Sequence, residues 1–198
     1  DIREPFVKDF VYPMLRAGAL YQDDYLLGTA IARPIIAERM AYWAKEKGAT
    51  AIAHGATGKG NDQIRFERAW AYLVPDVDLI APWKEWEYTG RKDLLDYLAS
   101  KGIDFEAEEK RYSIDTNLFH RSCEGGILED VSKMYDCEDI YDWVKTPESV
   151  ENKKTIVSFE FKDGFAVTLN GEAMPEHVML EKLNTIGSKH GLGVVGLV

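Results

Sequence analysis

The chain has 198 residues, with 24 basic and 34 acidic side chains and a formal net charge of −10. A negative field repels phosphate backbones and anionic lipids, so the sequence predicts neither a nucleic-acid partner nor a membrane partner. The composition, 45% hydrophobic, excludes a disordered or collagen-like chain. Two cysteines are too few for a disulfide framework, and no apolar run has membrane length, which together predict a cytoplasmic location.

The first half of the chain alternates between helical and strand-like patterns. In chain order, the patterns predict a helix over residues 4–18, a helix over 29–47, a strand over 49–53, a helix over 61–72, a strand over 77–81 and a helix over 91–101. Pro13 is expected to interrupt the first helix, and Gly48 to end the second. Helices that alternate with short buried strands are typical of an α/β domain with a parallel sheet.

The second half of the chain has a different character. Residues 108–130 are polar and predict irregular structure, and residues 131–153 show no clean period. Alternation over 155–161 and 165–169, with Lys-Asp-Gly between them, predicts a β-hairpin. A helix is predicted over 179–190. These patterns indicate an α+β domain, and we place the domain boundary near 108–112, which gives domains over 1–110 and 111–198.

A glycine-rich segment, HGATGKGNDQIRFE over residues 54–67, joins a predicted strand to a predicted helix. Glycines let backbone N–H groups converge, the helix N-terminus adds partial positive charge, and Lys59 adds a full charge. A Walker A loop is excluded because the sequence has Ala53 and Gly60 where that motif needs Gly and Ser or Thr, and GxGxxG fails at Gln63. Two interpretations stay open: an anion-binding loop, or glycines that form a tight turn before a capped helix.

The residues after the glycines suggest a capped helix or an amino-acid site. Asn61 is suited to the N-cap position and Asp62 to the first turn. Asp62 and Arg65 are three residues apart and share a helix face, where a carboxylate and a guanidinium suit a zwitterionic amino acid. Glu67 and Arg68 are expected to be solvated.

The histidines do not indicate a metal site. His54 is expected to be a structural residue that bonds the backbone, with a proton shuttle as the alternative. His120, His177 and His190 lack ligand spacing with one another and with the cysteines, so no metal ligands are predicted.

Residues 54–67 resemble the signature of the argininosuccinate synthase family. The stretches LYQDDYLLGTAIARP over 20–34, APWKEWEYTGRKDLLDY over 81–97 and SIDTNLFHRSCEGGILE over 113–129 also resemble this family, in one register along the chain. The resemblance implies a ligase that condenses citrulline with aspartate through a citrulline-adenylate, with ATP and Mg²⁺, in arginine biosynthesis or the urea cycle. It also implies a parallel-sheet adenine-nucleotide-binding domain, part of an α+β synthetase domain, and a homotetramer.

The resemblance assigns roles to individual residues. Positions that contact citrulline correspond here to Tyr25, Ala30, Asn61, Arg65, Ser113 and Ser122. Ala30 stands where some relatives have serine, so a hydroxyl contact is lost at that position.

The same resemblance points to an aspartate site and to a nucleotide site. The aspartate site corresponds to Thr57, Asn61 and Asp62, and the ATP contacts correspond to Gly55, Gly58, Lys59 and Gly60. Asp62 is expected to orient or deprotonate the aspartate amine. Arg33 is expected near the ATP phosphates or a substrate carboxylate.

One motif of the resembled family does not occur in these residues. The family begins with an SGGLDTS-type loop that cradles ATP phosphates, and no SGG occurs here. We therefore expect the sequence to correspond to the central part of such an enzyme, inactive by itself and prone to aggregate through an incomplete sheet. The alternative is a non-catalytic amino-acid- or nucleotide-binding module of the same ancestry.

Overall fold

The computed structural model describes residues 1–58, 60–103, 105, 112–130, 132, 138–150 and 153–196. Its contacts divide the chain into two compact units, residues 33–110 and residues 1–32 with 111–198. Lys59, Cys137 and most of the expected boundary region lie outside the described residues. Among the helices described, none combines the length and apolar character needed to span a bilayer.

Helices and strands alternate along residues 28–100 in the predicted order. The elements are α3 Gly28–Lys47, β1 Ala51–Ala53, α4 Asn61–Leu73, β2 Asp78–Ile80 and α5 Arg91–Ser100. Strands β1 and β2 pair in parallel with Ala51 opposite Asp78, Ile52 opposite Leu79 and Ala53 opposite Ile80. The predicted ends of α3 and α5 are confirmed by Gly48 and Gly102, which adopt positive φ angles.

Small side chains form the centre of the unit over 33–110. Ala37, Ala41 and Ala44 of α3 are buried against Ile52 and Trp70. Trp70 Nε1–H donates to the carbonyl of Ala37 at 2.9 Å, which satisfies the one polar atom of the indole. Alanines on one face of α3 therefore allow close contact with the sheet and with α4.

The prediction that Pro13 interrupts the first helix is wrong. The chain stays helical through α1 Arg3–Phe6, a π-helical turn Val7–Val11 and α2 Tyr12–Arg16. Tyr12 N–H donates to the carbonyl of Val7, a bond between residues five apart. This wider turn ends at Val11, so the residue that lacks an N–H, Pro13, lies in the first turn of a new α-helical segment instead of breaking one.

A second correction concerns residues 108–130, which the sequence predicted to be irregular. Strands β3 Ser113–Thr116 and β4 Arg121–Glu124 form an antiparallel hairpin there. The connection is organised by Asn117, whose Oδ1 accepts from the N–H groups of Phe119 and His120 at 2.9 Å each. An asparagine that closes its own turn is the local signal for this hairpin.

The predicted hairpin near residue 163 is present within a three-stranded antiparallel sheet. Strand β5 Phe159–Lys162 starts later than predicted, and β6 Phe165–Leu169 and β7 Glu172–Ala173 follow. Both turns use residues with positive φ, Asp163 with Gly164 and Asn170 with Gly171. The second turn and β7 were not predicted.

Helix α6 Glu176–Lys189 begins three residues before the predicted position. Pro175 precedes it at the N-cap, a position at which proline costs no intrahelical hydrogen bond. Met179 of α6 is buried with Ala166 and Leu169 of β6, which places the core of this sheet on its α6 side.

Candidate functional site

The glycine-rich loop begins at the carboxyl end of β1. His54 N–H donates to the carbonyl of Ile80 at 3.1 Å, so parallel pairing continues one residue beyond the strand. Helix α4 then begins at Asn61, with Gly60 at the N-cap and no side-chain hydrogen bond to the cap. The prediction that Asn61 caps α4 is therefore wrong. The first backbone N–H groups of α4 can still donate to an acceptor from outside the helix.

The loop glycines are not explained by the loop conformation. None of Gly55, Gly58 and Gly60 has a positive φ angle. A Cβ added at Gly55 would meet no atom within 4 Å, and the nearest atoms would be 3.6 Å away at Gly58 and 3.5 Å at Gly60. Positive φ therefore does not explain these glycines, and the open space beside Gly55 leaves room for close approach of an external group. Lys59 lies outside the described residues.

Asp62 is held between two arginines at the start of α4. Its Oδ2 accepts from Arg33 Nε at 2.9 Å, and its Oδ1 accepts from Arg65 Nη1 at 2.7 Å. These side chains are only 19% to 32% exposed. Asp62 and Arg65 share a helix face as predicted, but they bind each other and Arg33 instead of standing as two separate contacts.

Thr57 and Asn61, the other expected aspartate contacts, are exposed beside this triad in sequence. Ala30 lies in the first turns of α3, four residues before Pro34. Because proline has no N–H, the helix supplies no donor four residues on for the carbonyl of Ala30. The backbone of Ala30 thus keeps hydrogen-bonding capacity although its side chain has none.

Glu67 was expected to be solvated, and this expectation is wrong. Its carboxylate is 20% exposed and is bonded to three side chains. Gln63 Nε2 lies 2.9 Å and His54 Nε2 3.3 Å from Oε1, and Lys84 Nζ lies 3.1 Å from Oε2. Burial acts to raise the pKa of Glu67, but these bonds from Gln63, Lys84 and His54 together outweigh it and lower the pKa.

His54 bonds the backbone, as expected for a structural histidine. The N–H of Ala56 donates to its Nδ1 at 3.2 Å. The ring also stacks on Phe66 and lies tilted against Trp70, with centroids 6.0 and 5.7 Å away. The spacing of thirteen residues between His54 and Glu67 carries no periodic signal, which is why the sequence did not reveal their contact.

Tyr25 lies in the unit over 1–32 and 111–198, against His120. Their rings meet edge to face with centroids 5.0 Å apart. A Cβ on Gly28 would lie 2.2 Å from the Cβ of His120, so this contact requires glycine. Burial lowers the pKa of His120, against a smaller opposite effect of the Asp115 carboxylate. Among described residues, Thr29 Oγ1 and His120 Nδ1 are buried without a hydrogen-bond partner.

The two serines expected to contact citrulline share a face of the β3–β4 hairpin. Ser113 is opposite Glu124, and Ser122 is opposite Asp115. Residues that are opposite or two apart project on the same side, so both serines lie beside these two carboxylates. Sequence reasoning overlooked Asp115 and Glu124 because it did not predict the hairpin.

Comparison with known families gives two matches along the chain. Residues 1–104 match the family model described as Arginosuccinate synthase N-terminal HUP domain. Residues 112–198 match the model described as Arginosuccinate synthase C-terminal domain.

Similar curated proteins carry the same name. Argininosuccinate synthase of Carboxydothermus hydrogenoformans is 47% identical over 199 residues, covering 100% of this chain and 49% of the relative. The enzymes of Nitrosospira multiformis and Campylobacter jejuni are 48% and 46% identical, again over 100% of this chain and 49% of each relative. The chain spans about half the length of the curated relatives it matches. From these matches along its whole length, the chain belongs to the argininosuccinate synthase family.

Proposed function

We propose that this chain takes part in the ATP-dependent condensation of citrulline with aspartate, a carbon–nitrogen ligase reaction. The citrulline ureido oxygen attacks the α-phosphorus of ATP and pyrophosphate leaves. The aspartate amine then attacks the ureido carbon of the citrulline-adenylate, and AMP leaves with argininosuccinate as product. The observation that carries the proposal is the Arg33–Asp62–Arg65 triad at an uncapped helix start, directly after the glycine loop.

The loop provides the proposed nucleotide contacts. Gly55, Gly58 and Gly60 do not have positive φ angles, so their backbone angles do not require glycine. In this proposal the missing Cβ atoms let phosphate oxygens come close to the backbone N–H groups. Lys59 adds its charge in this proposal. Such a site stabilises phosphoryl charge and needs no enzyme nucleophile.

Asp62 is proposed to orient the aspartate amine. Both of its oxygens already accept from guanidinium groups, which fixes the orientation of the carboxylate. Arg33 and Arg65 supply positive charge for a substrate carboxylate or phosphate. Thr57 and Asn61 are the remaining proposed aspartate contacts, and their exposure in the loop and first turn supports this.

Citrulline is proposed to use the hydroxyls of Ser113 and Ser122, the ring of Tyr25 and the backbone of Ala30, together with Asn61 and Arg65. The shared face of the two serines supports their assignment to one substrate.

Magnesium is proposed to enter with ATP. Among the described residues no three His, Cys, Asp or Glu side chains cluster into a candidate metal site. In this proposal the ion is held mainly by phosphate oxygens, the usual arrangement for Mg²⁺ with nucleotides. The proposal further includes a cytoplasmic location and a role in arginine biosynthesis or the urea cycle. It also includes a homotetramer, and size-exclusion chromatography with light scattering measures this oligomeric state.

The test measures pyrophosphate release from ATP and Mg²⁺, with citrulline and aspartate added separately and together. The chain is assayed alone and with the SGG-containing N-terminal segment of a relative added. Release that requires citrulline in either preparation supports the proposal. Ligand binding without release in both would support the binding-module alternative instead.

Asp62→Asn tests the proposed role of Asp62 most directly, because asparagine keeps the shape of the side chain and removes the negative charge that binds both arginines. We expect argininosuccinate formation to fall about 100-fold, since loss of positioning commonly has an effect of this size. Arg68→Ala, an exposed change on the same helix, is the matched control and should leave the rate unchanged. Equal rates for both variants would refute the assigned role of Asp62.

A further inference from the structure

The hydrogen bonds around Glu67 join three elements at the carboxyl ends of the two parallel strands. His54 follows β1, Lys84 follows β2, and Glu67 lies on α4 between them in the sequence. Glu67 Oε1 lies 3.3 Å from His54 Nε2, and Oε2 lies 3.1 Å from Lys84 Nζ. One carboxylate therefore ties both strand ends to the helix that follows the loop.

The donors around His54 define its tautomer. Because the N–H of Ala56 donates to Nδ1, that nitrogen carries a lone pair, and Nε2 carries the proton that is donated to Glu67. The ring is only 5% exposed and is held between neighbouring aromatic rings. The side chain thus has one orientation in which both hydrogen bonds form.

The hydrogen bond between Ala56 and His54 lies where the glycine loop leaves the sheet. Ala56 lies two residues after His54, and the exposed residues Gly55, Thr57 and Gly58 flank it. The only other backbone bond within the described loop is a long one, from Gly60 N–H to the carbonyl of Thr57 at 3.4 Å. The Ala56–His54 bond is therefore the main internal constraint on the first turn of the loop.

We propose that His54 and Glu67 are positioning residues for the glycine loop. Glu67 fixes the tautomer and orientation of His54, and His54 fixes the Ala56 amide, so the loop is preorganised for its ligands. Neither side chain is required to touch substrate or to transfer a proton. The identity of the ligands, ATP and aspartate, rests on the proposed function, whereas the relay Lys84–Glu67–His54–Ala56 is a property of the chain itself.

Two substitutions at position 54 separate the two hydrogen bonds. His54→Asn places a carbonyl oxygen near the Nδ1 position and keeps an acceptor for Ala56, but it cannot reach Glu67. His54→Gln places a donor near the Nε2 position and keeps the Glu67 contact, but it loses the Ala56 bond. Glu67→Gln keeps an acceptor for His54 and removes the charge that holds Lys84.

The first readout is independent of activity. In this chain, ¹⁵N NMR of His54 should show a protonated Nε2 and an unprotonated Nδ1, and Glu67→Gln should shift the Nε2 signal. Amide exchange at Ala56 should be about tenfold faster in His54→Gln than in wild type or His54→Asn, because one hydrogen bond is lost. Equal exchange in all three proteins, or a protonated Nδ1, would overturn the proposal.

The second readout uses whichever preparation shows citrulline-dependent pyrophosphate release. His54→Gln should raise KM for ATP or aspartate about tenfold with kcat nearly unchanged, and His54→Asn should restore KM. A purely structural role would lower the amount of folded protein without this split. If no preparation is active, the proposed function fails, and the NMR and exchange results still decide the positioning role.

Discussion

At the scale of single residues, burial changes the acid–base chemistry of His120. Its ring is half-buried beside Tyr25 and Gly28, and burial lowers its pKa while Asp115 acts weakly in the opposite direction. A folded-state pKa below the unfolded value of about 6.5 means that the unfolded chain binds the proton more strongly.

This predicts an acid-dependent loss of stability. The contribution of His120 to the free energy of unfolding should be fully present above about pH 6.5 and should decrease as the pH falls below it, with a slope of at most about 1.4 kcal/mol per pH unit. His120→Gln should flatten the dependence of Tm on pH between about 5 and 7. His190→Gln, at the end of α6 beside Thr155, is the control. An unchanged slope in His120→Gln would contradict the prediction.

Single residues also show what sequence reasoning could find at the site. Asp62 and Arg65 were identified as neighbours because a spacing of three defines a shared helix face. Arg33 was identified only by family resemblance, since its contact with Asp62 spans 29 positions. Glu67 was misjudged as solvated because its partners at 54 and 84 come from different elements.

At the scale of elements, turns decide where the strands of the second unit end. Asn170 adopts a φ of 53°, and its Oδ1 accepts from Ser158 N–H at 2.9 Å. Its own N–H donates to the carbonyl of Ser158 at 2.8 Å. One residue thus serves as a left-handed turn position and as a link back to the start of β5.

A graded series of substitutions tests this double role. Asn170→Asp keeps the acceptor and tolerates positive φ, Asn170→Gly keeps only the backbone freedom, and Asn170→Ala loses both. We expect the free energy of unfolding to fall in that order, with a loss of about 2 kcal/mol for alanine. Urea unfolding measures it. Equal stability of the glycine and alanine variants would show that positive φ at this position has no cost.

The errors at this scale have a common cause. Periodicity predicted α3, α4 and α5 to within a few residues, and α3 and α4 bury residues in a shared core. The β3–β4 hairpin was overlooked because its strands are mostly polar and contain no buried residue, so no apolar alternation marks them. The π-helical turn before Pro13 depends on hydrogen-bond geometry that composition does not report.

At the scale of the whole molecule, the parallel sheet exposes apolar side chains of β2. Ile52 is buried with Trp70 and the α3 alanines, but Ala53 and Ile80, which face the other side, are exposed. Ile80 is 49% exposed. Parallel sheets are ordinarily covered on both faces, so this apolar surface favours self-association.

This predicts that the chain by itself aggregates through the β1–β2 sheet. Ile80→Thr should raise the concentration at which light scattering increases, because threonine keeps the β-branched shape and adds a hydroxyl. Ile80→Val keeps the face apolar and should behave as wild type. Equal scattering thresholds for the Ile80→Thr and Ile80→Val variants would contradict the prediction.

The sequence by itself determined the family, the alternation of helices with parallel strands and the glycine loop before α4, because motifs and periodicity are local properties of the chain. Tertiary structure alone decided that Asp62 is clamped by two arginines and that Glu67 connects His54 to Lys84. It also brought Ser113 and Ser122 to one face of a hairpin. These features depend on which distant positions are adjacent after folding, and burial then sets the hydrogen bonds and pKa values that spacing along the chain does not encode.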